Sequence, residues 1–220
     1  RRSGLDRAGY DFFFDPLIMV FGTVDGLQSK GEIQMSAGAP MQSRGYLMVD
    51  LNFPAPIYLG QSMPKLRLDR AFSQPNTLMM MIKIKDALGG RTTAWGGVRK
   101  SLRAEDKAKL KDGTEHAARI LKNAGAKSIF NGWTVAAHPG GTVKIKEMLD
   151  SNLKTEKENL YVCDCSVIPE AWGLPPTLTL LALGKRLGRH LCARVSRRHH
   201  WPPCWSISSI RPKSANFWPG

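Results

Sequence analysis

The sequence predicts a mixed α/β protein in which a mixed or antiparallel sheet comes first and amphipathic helices follow. Short apolar and aromatic runs, separated by glycine-bearing turns, fill residues 12–50. Two later stretches, 104–124 and 177–191, repeat their apolar residues at spacings of three and four. Aromatic and β-branched residues favour a pleated surface, and a spacing of three and four favours a helix buried on one face.

The first strands are predicted at residues 12–14, 17–21 and 46–49, with a turn over 22–26. Glycine and aspartate tolerate the backbone angles of such a turn. The proline-rich section 53–64 is predicted to be a loop, because proline interrupts the hydrogen bonds of a helix interior.

A further strand is predicted over residues 77–86. Its apolar run changes to an alternation at Ile82 and Ile84, which is typical of a strand that leaves the core, and a turn is predicted at Gly89 and Gly90. The three adjacent methionines, 79–81, are interpreted as core packing, because no metal or cofactor ligands accompany them.

The first helix is predicted over residues 104–124. Leu110, Ala117 and Leu121 lie on its apolar stripe with Ile120 and Ala124, and Gly125 stands where a helix end prefers a left-handed residue. His116 lies beside the stripe and is interpreted as structural or exposed.

The second helix is predicted over residues 177–191, directly after Pro175 and Pro176. Proline is tolerated at a helix start, because the N–H that it lacks has no partner there. The residues predicted to face inward are Leu180, Leu183, Leu187 and Leu191.

Composition and charge restrict the function classes. Hydrophobic residues make up 42% and charged residues 23%, which is typical of a folded protein. The formal net charge of +14 suggests an anionic partner. Basic residues between 83 and 127 are interspersed with acidic ones, so a nucleic-acid partner is disfavoured, and a polyanion-binding module is kept as an alternative. It would bind DNA in a strongly salt-dependent way.

The cysteines and the apolar runs bear on location. Cys163 and Cys165 alternate on one predicted strand and do not fit a disulfide framework with Cys192 and Cys204, so we expect reduced thiols. A reducing compartment, with the cytoplasm favoured, follows from that expectation. No run approaches the roughly 20 apolar residues of a membrane span, so no transmembrane segment is predicted. No spacing of metal ligands is found.

Three motifs carry a resemblance to a known family. Ala-Ala-His-Pro-Gly-Gly-Thr occupies 136–142, Leu-Tyr-Val-Cys-Asp-Cys-Ser-Val-Ile-Pro occupies 160–169, and Gly-Leu-Pro-Pro-Thr-Leu-Thr occupies 173–179. In this order they resemble the carboxyl-terminal end of the glucose–methanol–choline (GMC) flavoprotein oxidoreductases. The resemblance covers roughly residues 10–193.

The resemblance implies a cofactor, FAD, and roles for five residues. His138 would face the flavin and accept a proton from an alcohol as hydride leaves the same carbon. Asp164, at the end of a strand expected over 159–164, and the Cys165 backbone would contact the ribityl chain and phosphates. Pro176 and Thr177, at the start of a helix, would lie against the flavin's pyrimidine edge, where reduction adds negative charge.

The functional assignments have alternatives in the residues themselves. Without the resemblance, His138 is an ordinary loop histidine and Asp164 a turn or helix-capping aspartate. Relatives place a histidine or asparagine where this chain has Pro175, which offers no side-chain donor or acceptor. A non-oxidising, lyase-like relative is therefore the second hypothesis, beside oxidation of a small-molecule alcohol with an unknown electron acceptor.

The predicted organisation has three segments. Residues 1–135 are a substrate-side portion, 136–193 a catalytic segment that closes the FAD domain, and 194–220 a disordered or non-native tail. The family binds its dinucleotide through an amino-terminal glycine-rich motif, and no G-x-G-x-x-G occurs here. We therefore expect the chain to be a fragment that by itself binds FAD poorly and is inactive.

Overall fold

The computed structural model describes residues 4–29, 31–62 and 72–199, with side chains up to residue 195. Within these ranges the fold is mixed α/β, as the sequence predicts. The helices are α1 (Ala55–Ser62), α2 (Ala104–Asn123) and α3 (Thr177–His199). The strands are β1 (Tyr10–Phe12), β2 (Pro16–Thr23), β3 (Gly38–Met41), β4 (Tyr46–Leu51), β5 (Thr77–Ile84), β6 (Gly89–Thr92), β7 (Val98–Arg99) and β8 (Lys127–Ala136).

The strands form two antiparallel sheets in the described part of the chain. The larger has the order β3-β4-β5-β2-β8 and the smaller the order β1-β6-β7. Strand β8 was not predicted. Its register against β2 shifts twice, between Ile18 and Val20 and between Phe21 and Thr23, so its side chains do not keep one regular alternation.

The central strands β2 and β5 of the larger sheet are covered on both faces. On one face α2 covers a cluster from β2, β4 and β5, and on the other α1 contributes Tyr58 to a second cluster. The prediction that β5 leaves the core at Ile82 is wrong. Ile82 and Ile84 are fully buried and Lys83 is 1% exposed, because this strand is covered on both sides to its end.

Two predictions about loops are also wrong. The section 53–64 contains helix α1, with Pro56 in its first turn, where the missing N–H needs no partner. Gly89 and Gly90 belong to strand β6, and Gly89 pairs with Phe12. Gly90 has φ +80 and lies so close to the Arg99 carbonyl that a side chain would not fit.

The two amphipathic helices are confirmed. Helix α2 buries Leu110, Ala117 and Leu121 against the sheet, and Gly125 follows it at φ +82. Helix α3 contacts the core through Leu180, Leu183 and Leu187. It continues to His199, past the boundary expected at residue 194, and residues 200–220 lie outside the described part.

Two helical glycines give a matched stability prediction. A Cβ on Gly113 of α2 would lie 2.4 Å from Cγ2 of Ile82, which is fully buried and cannot yield, whereas a Cβ on Gly184 of α3 meets no described atom within 4 Å. We expect Gly184→Ala to raise the free energy of unfolding by about 0.5–1 kcal/mol. Gly113→Ala should lower it by about 1–2 kcal/mol, since overpacking outweighs the gain in helix propensity. Denaturant titration measures both, and equal stabilisation would contradict the close approach.

Candidate active site

The turn that carries His138 continues the pairing of β8 with β2. The backbone N–H of His138 donates to the Phe14 carbonyl at 3.2 Å, and Phe13 and Gly140 exchange two backbone hydrogen bonds at 3.0 and 3.1 Å. His138 therefore lies beside the segment that enters β2. Its side chain is 31% exposed, so it is open to an incoming molecule on one side.

The glycines of this turn permit a close approach of backbones. A Cβ on Gly140 would lie 2.5 Å from both the Cys165 carbonyl and the Phe13 ring, and Gly141 has φ +83. Only glycine fits the first position without moving backbone atoms, and glycine is favoured at the second. The two glycines thus bring three segments of the chain together around His138.

His138 is bonded to a buried lysine–aspartate pair. Its Nδ1 atom lies 2.8 Å from Nζ of Lys83, and that Nζ lies 2.9 Å from Oδ2 of Asp15. Asp15 Oδ2 is 3.7 Å from the same ring nitrogen. Lys83 and Asp15 are each 1% exposed. Since Nδ1 is engaged on the buried side, and Nε2 has no hydrogen bond to any described residue, Nε2 is the nitrogen left for a ligand.

Burial sets the ionisation of this cluster. It raises the pKa of Asp15, although the contact with Lys83 opposes the rise, and it lowers the pKa of Lys83 against the opposing effect of Asp15. The pKa of His138 is lowered first by burial and then by the charge of Lys83. A neutral imidazole at pH 7 is therefore expected, since the ordinary pKa is already about 6.5.

A second buried pair holds the segment that carries Asp15. The Asp86 carboxylate accepts the backbone N–H groups of Phe14 and Asp15 at 3.0–3.2 Å and lies 3.0 Å from Nζ of Lys100. Lys100 also donates to the carbonyls of Phe12 and Ala87. Both side chains are at most 2% exposed. The pair therefore fixes the backbone on which Asp15 stands.

Asp15 itself is strained. Its φ is +51, in the left-handed region, and its Oδ1 atom is buried without a hydrogen-bond partner among the described residues. An unpaired buried carboxylate oxygen costs about 1–3 kcal/mol. Such costs persist where the surrounding structure imposes them, and they concentrate at functional sites.

Lys83 and Asp15 were missed by sequence reasoning. The signal for Lys83 was a charged residue within the apolar run of β5, which was interpreted as the strand leaving the core. A charged residue inside a strand buried on both faces must have a partner, and that requirement pointed to a site. Asp15 gave no comparable signal, since aspartate before Pro16 is ordinary turn composition.

The second motif lies next to His138 but contains no strand. The strand expected over 159–164 is reduced to a single bridge between Lys154 and Tyr161, because the segment bonds to the preceding loop and not to a sheet. The Asp164 side chain accepts the Ser166 N–H at 2.8 Å and begins a 3₁₀ turn over Cys165–Val167. The Sγ atom of Cys165 is 3.8 Å from the His138 carbonyl.

The start of α3 lies near the same cluster. Leu180 and Cys165 both pack against the buried cluster that contains Phe13, which places the first turn of the helix near the His138 turn. Pro175 and Thr177 are exposed and Pro176 is buried. The first turn contains no acidic residue. The structure therefore brings His138 and Cys165 into contact and places the α3 start close by.

The adjacent methionines and His116 have structural roles. Met79 and Met81 are buried in the core, and Nδ1 of His116 lies 3.0 Å from the Tyr46 hydroxyl, a structural contact. Cys163, Cys165 and Cys192 form no disulfide bond with one another in the part of the chain that the structure describes. Within the described ranges no group of three or more histidine, cysteine or acidic side chains is arranged to hold a metal. None of the helices described here has the length and apolarity needed to cross a bilayer.

Comparison with known proteins agrees with the motifs. Residues 94–184 match the family model of GMC oxidoreductase. The chain is 34% identical over 112 residues to an uncharacterized protein of Methanocaldococcus jannaschii, a match that covers 51% of this chain and 29% of that protein. It superposes on a solved formate oxidase of Aspergillus oryzae RIB40, described for its FAD modification, with a TM-score of 0.54 and 12% identity. This superposition covers 88% of the chain and 48% of the oxidase.

The chain shares its fold with a segment of the formate oxidase, at an identity that supports a likeness of fold alone. The match of residues 94–184 to the family model, together with the shared fold, supports a carboxyl-terminal portion of a GMC oxidoreductase. The prediction of this family from the three motifs is confirmed. The chain spans about half the length of the oxidase and less than a third of the archaeal relative.

Proposed function

We propose that the chain is the substrate-side and catalytic portion of an FAD-dependent oxidoreductase that takes hydride from the CH–OH group of a small alcohol. His138 is the proton acceptor for the hydroxyl group. The observation that carries the proposal is the placement of His138, whose ring is partly exposed while Nδ1 is tied to the buried Lys83. A histidine anchored through one nitrogen presents the other in a fixed direction.

The residues near His138 suit a flavin. The first turn of α3 offers unpaired N–H groups without a competing carboxylate, and Thr177 and Leu178 are exposed there. Such a helix start favours negative charge, so Pro176 and Thr177 are assigned to the flavin's pyrimidine edge. FAD, when bound, supplies the acceptor for hydride. Asp164 and the Cys165 backbone are assigned to its ribityl and phosphate side, although the Asp164 carboxylate already caps the 3₁₀ turn.

His138 contributes a proton-accepting group of suitable strength. Because its pKa is lowered, the ring is neutral at pH 7 and can accept the hydroxyl proton as the C–H bond breaks. A positioned base accelerates such a step about 10²–10⁴-fold. Accepting a proton at Nε2 requires that the ring's own proton lie on Nδ1, which faces Lys83.

The test is flavin reduction without oxygen. The protein that contains this chain together with an FAD-binding segment is mixed anaerobically with primary, secondary, aromatic and sugar alcohols. We expect at least one alcohol to bleach the absorbance of the oxidised flavin. Residues 1–220 without that segment serve as a control that should hold FAD weakly. A flavin that stays oxidised with every alcohol would contradict the proposal.

A second candidate is a lyase-like activity in which the flavin is not reduced by substrate. The observation that favours it is Pro175, which is exposed where relatives supply a histidine or asparagine donor. Proline can neither donate to nor accept from an alcohol oxygen. Substrate turnover with an unbleached flavin would favour this candidate over alcohol oxidation.

A further inference from the structure

The hydrogen bond between His138 and Lys83 fixes where the ring proton lies. One proton occupies the 2.8 Å contact between Nδ1 and Nζ. If Lys83 is an ammonium group, it donates to Nδ1, the neutral ring carries its proton on Nε2, and the exposed nitrogen can only donate. If Lys83 is a neutral amine, Nδ1–H donates to Nζ, and Nε2 is free to accept. The protonation state of Lys83 therefore decides whether His138 is a base.

We propose that Lys83 is the terminal proton acceptor behind His138, so that the two side chains relay one proton from the substrate to the buried interior. This inference rests on the proposed function. The substrate O–H bond breaks as Nε2–H forms, and Nδ1–H breaks as Nζ–H forms. The electron pair of the substrate C–H bond leaves as hydride to the oxidised flavin. Lys83 acts through His138 and is a positioning residue, since it sets the place of the ring proton.

The surroundings of Lys83 suit this role. Asp15 Oδ2 lies 2.9 Å from Nζ, so the relay ends in an ion pair of zero net charge inside the protein. The other groups that face the cluster are the Cys165 thiol and Asp86, and Asp86 is already paired with Lys100. Burial raises the pKa of the Cys165 thiol, which keeps it neutral. Burial also lowers the pKa of Lys83, against the opposing effect of Asp15.

The relay also explains how His138 could act although Pro175 offers no side-chain donor or acceptor for the alcohol oxygen. In this chain the second proton-handling group is supplied from strand β5, behind the histidine, through a contact between residues 55 positions apart. Asp86 accepts the backbone N–H of Asp15 and so holds the strained Asp15 in place. The Asp15 carboxylate can therefore stabilise the positive charge that forms on Nζ of Lys83.

The experiment determines the tautomer of His138 by NMR, in the absence of flavin and substrate. Residues 1–220 are labelled with ¹⁵N-histidine, and long-range proton–nitrogen spectra are recorded from about pH 6 to about pH 10. The His138 signals are assigned with His138→Gln. We expect the Nε2–H tautomer at the lower end and the Nδ1–H tautomer once Lys83 has lost its proton. An Nε2–H tautomer that persists over the whole range would overturn the proposal.

A matched pair of variants strengthens the test. Lys83→Arg introduces a guanidinium group that stays protonated, so the Nε2–H tautomer should persist over the whole pH range. The rate of flavin reduction should then fall about 10²–10⁴-fold, the usual contribution of a positioned base. Lys85→Arg makes the same change at a half-exposed lysine and should preserve the switch. A switch that survives Lys83→Arg would contradict the relay. If Lys83→Arg does not fold, the pH series on the unmodified chain decides.

The two proposals fail separately. A tautomer switch in a protein whose flavin no alcohol reduces would support the control of the His138 tautomer by Lys83 and contradict alcohol oxidation. Bleaching by an alcohol in a protein that keeps the Nε2–H tautomer throughout would support the oxidation and overturn the relay.

Discussion

Replacing His138 by glutamine is expected to slow flavin reduction by alcohol about 10²–10⁴-fold, the usual contribution of a positioned base. Glutamine cannot accept a proton at pH 7, but it keeps a polar amide in the turn, and the contact between Lys83 and Asp15 is retained. Anaerobic stopped-flow measurement of flavin absorbance gives the rate.

The control for this variant is His116→Gln. His116 bonds Tyr46 and Arg44 on the helix α2 side of the sheet, in a contact that involves no residue of the candidate site. Its replacement should leave the rate of flavin reduction unchanged. Equal rates for His138→Gln and the unmodified protein would remove His138 from the chemistry, and a loss with His116→Gln would show that the effect is not specific.

The largest loss of stability is expected from Asp86→Ala. The substitution leaves Lys100 charged, 2% exposed and without its carboxylate, and it frees the backbone N–H groups of Phe14 and Asp15. Removing one partner of a buried ion pair costs about 3–5 kcal/mol. Denaturant titration of residues 1–220 measures the free energy of unfolding.

Two comparisons identify the cause. Glu170→Ala removes the partner of Lys85, and because both side chains are at least half exposed, the loss should stay below about 1 kcal/mol. Asp86→Ala combined with Lys100→Met should be more stable than Asp86→Ala alone, since the unpaired charge is gone. If the double variant is the less stable of the two, an unpaired charge is not the reason.

The sequence predicted those elements whose evidence is local. Helix α2 has an apolar period, an acidic first turn and a glycine just after its end, and these signals all lie within the helix and its caps. Helix α1 was missed because Pro54 and Pro56 were taken as interrupting a helix interior, whereas Pro56 lies in the first turn. Strand β8 was missed because its alternation is broken by shifts against β2.

The sequence by itself determined the family, the position of His138 and the glycines that let its turn approach Cys165, because these depend on short motifs in a fixed order. Only the tertiary structure shows that Lys83 contacts His138 and that Asp15 contacts Lys83. Asp15, Lys83 and His138 come from three separate strand ends, and no spacing along the chain relates them. A lysine becomes a partner for histidine only when a sheet covered on both faces removes it from water, and burial of that kind is a property of the assembled fold.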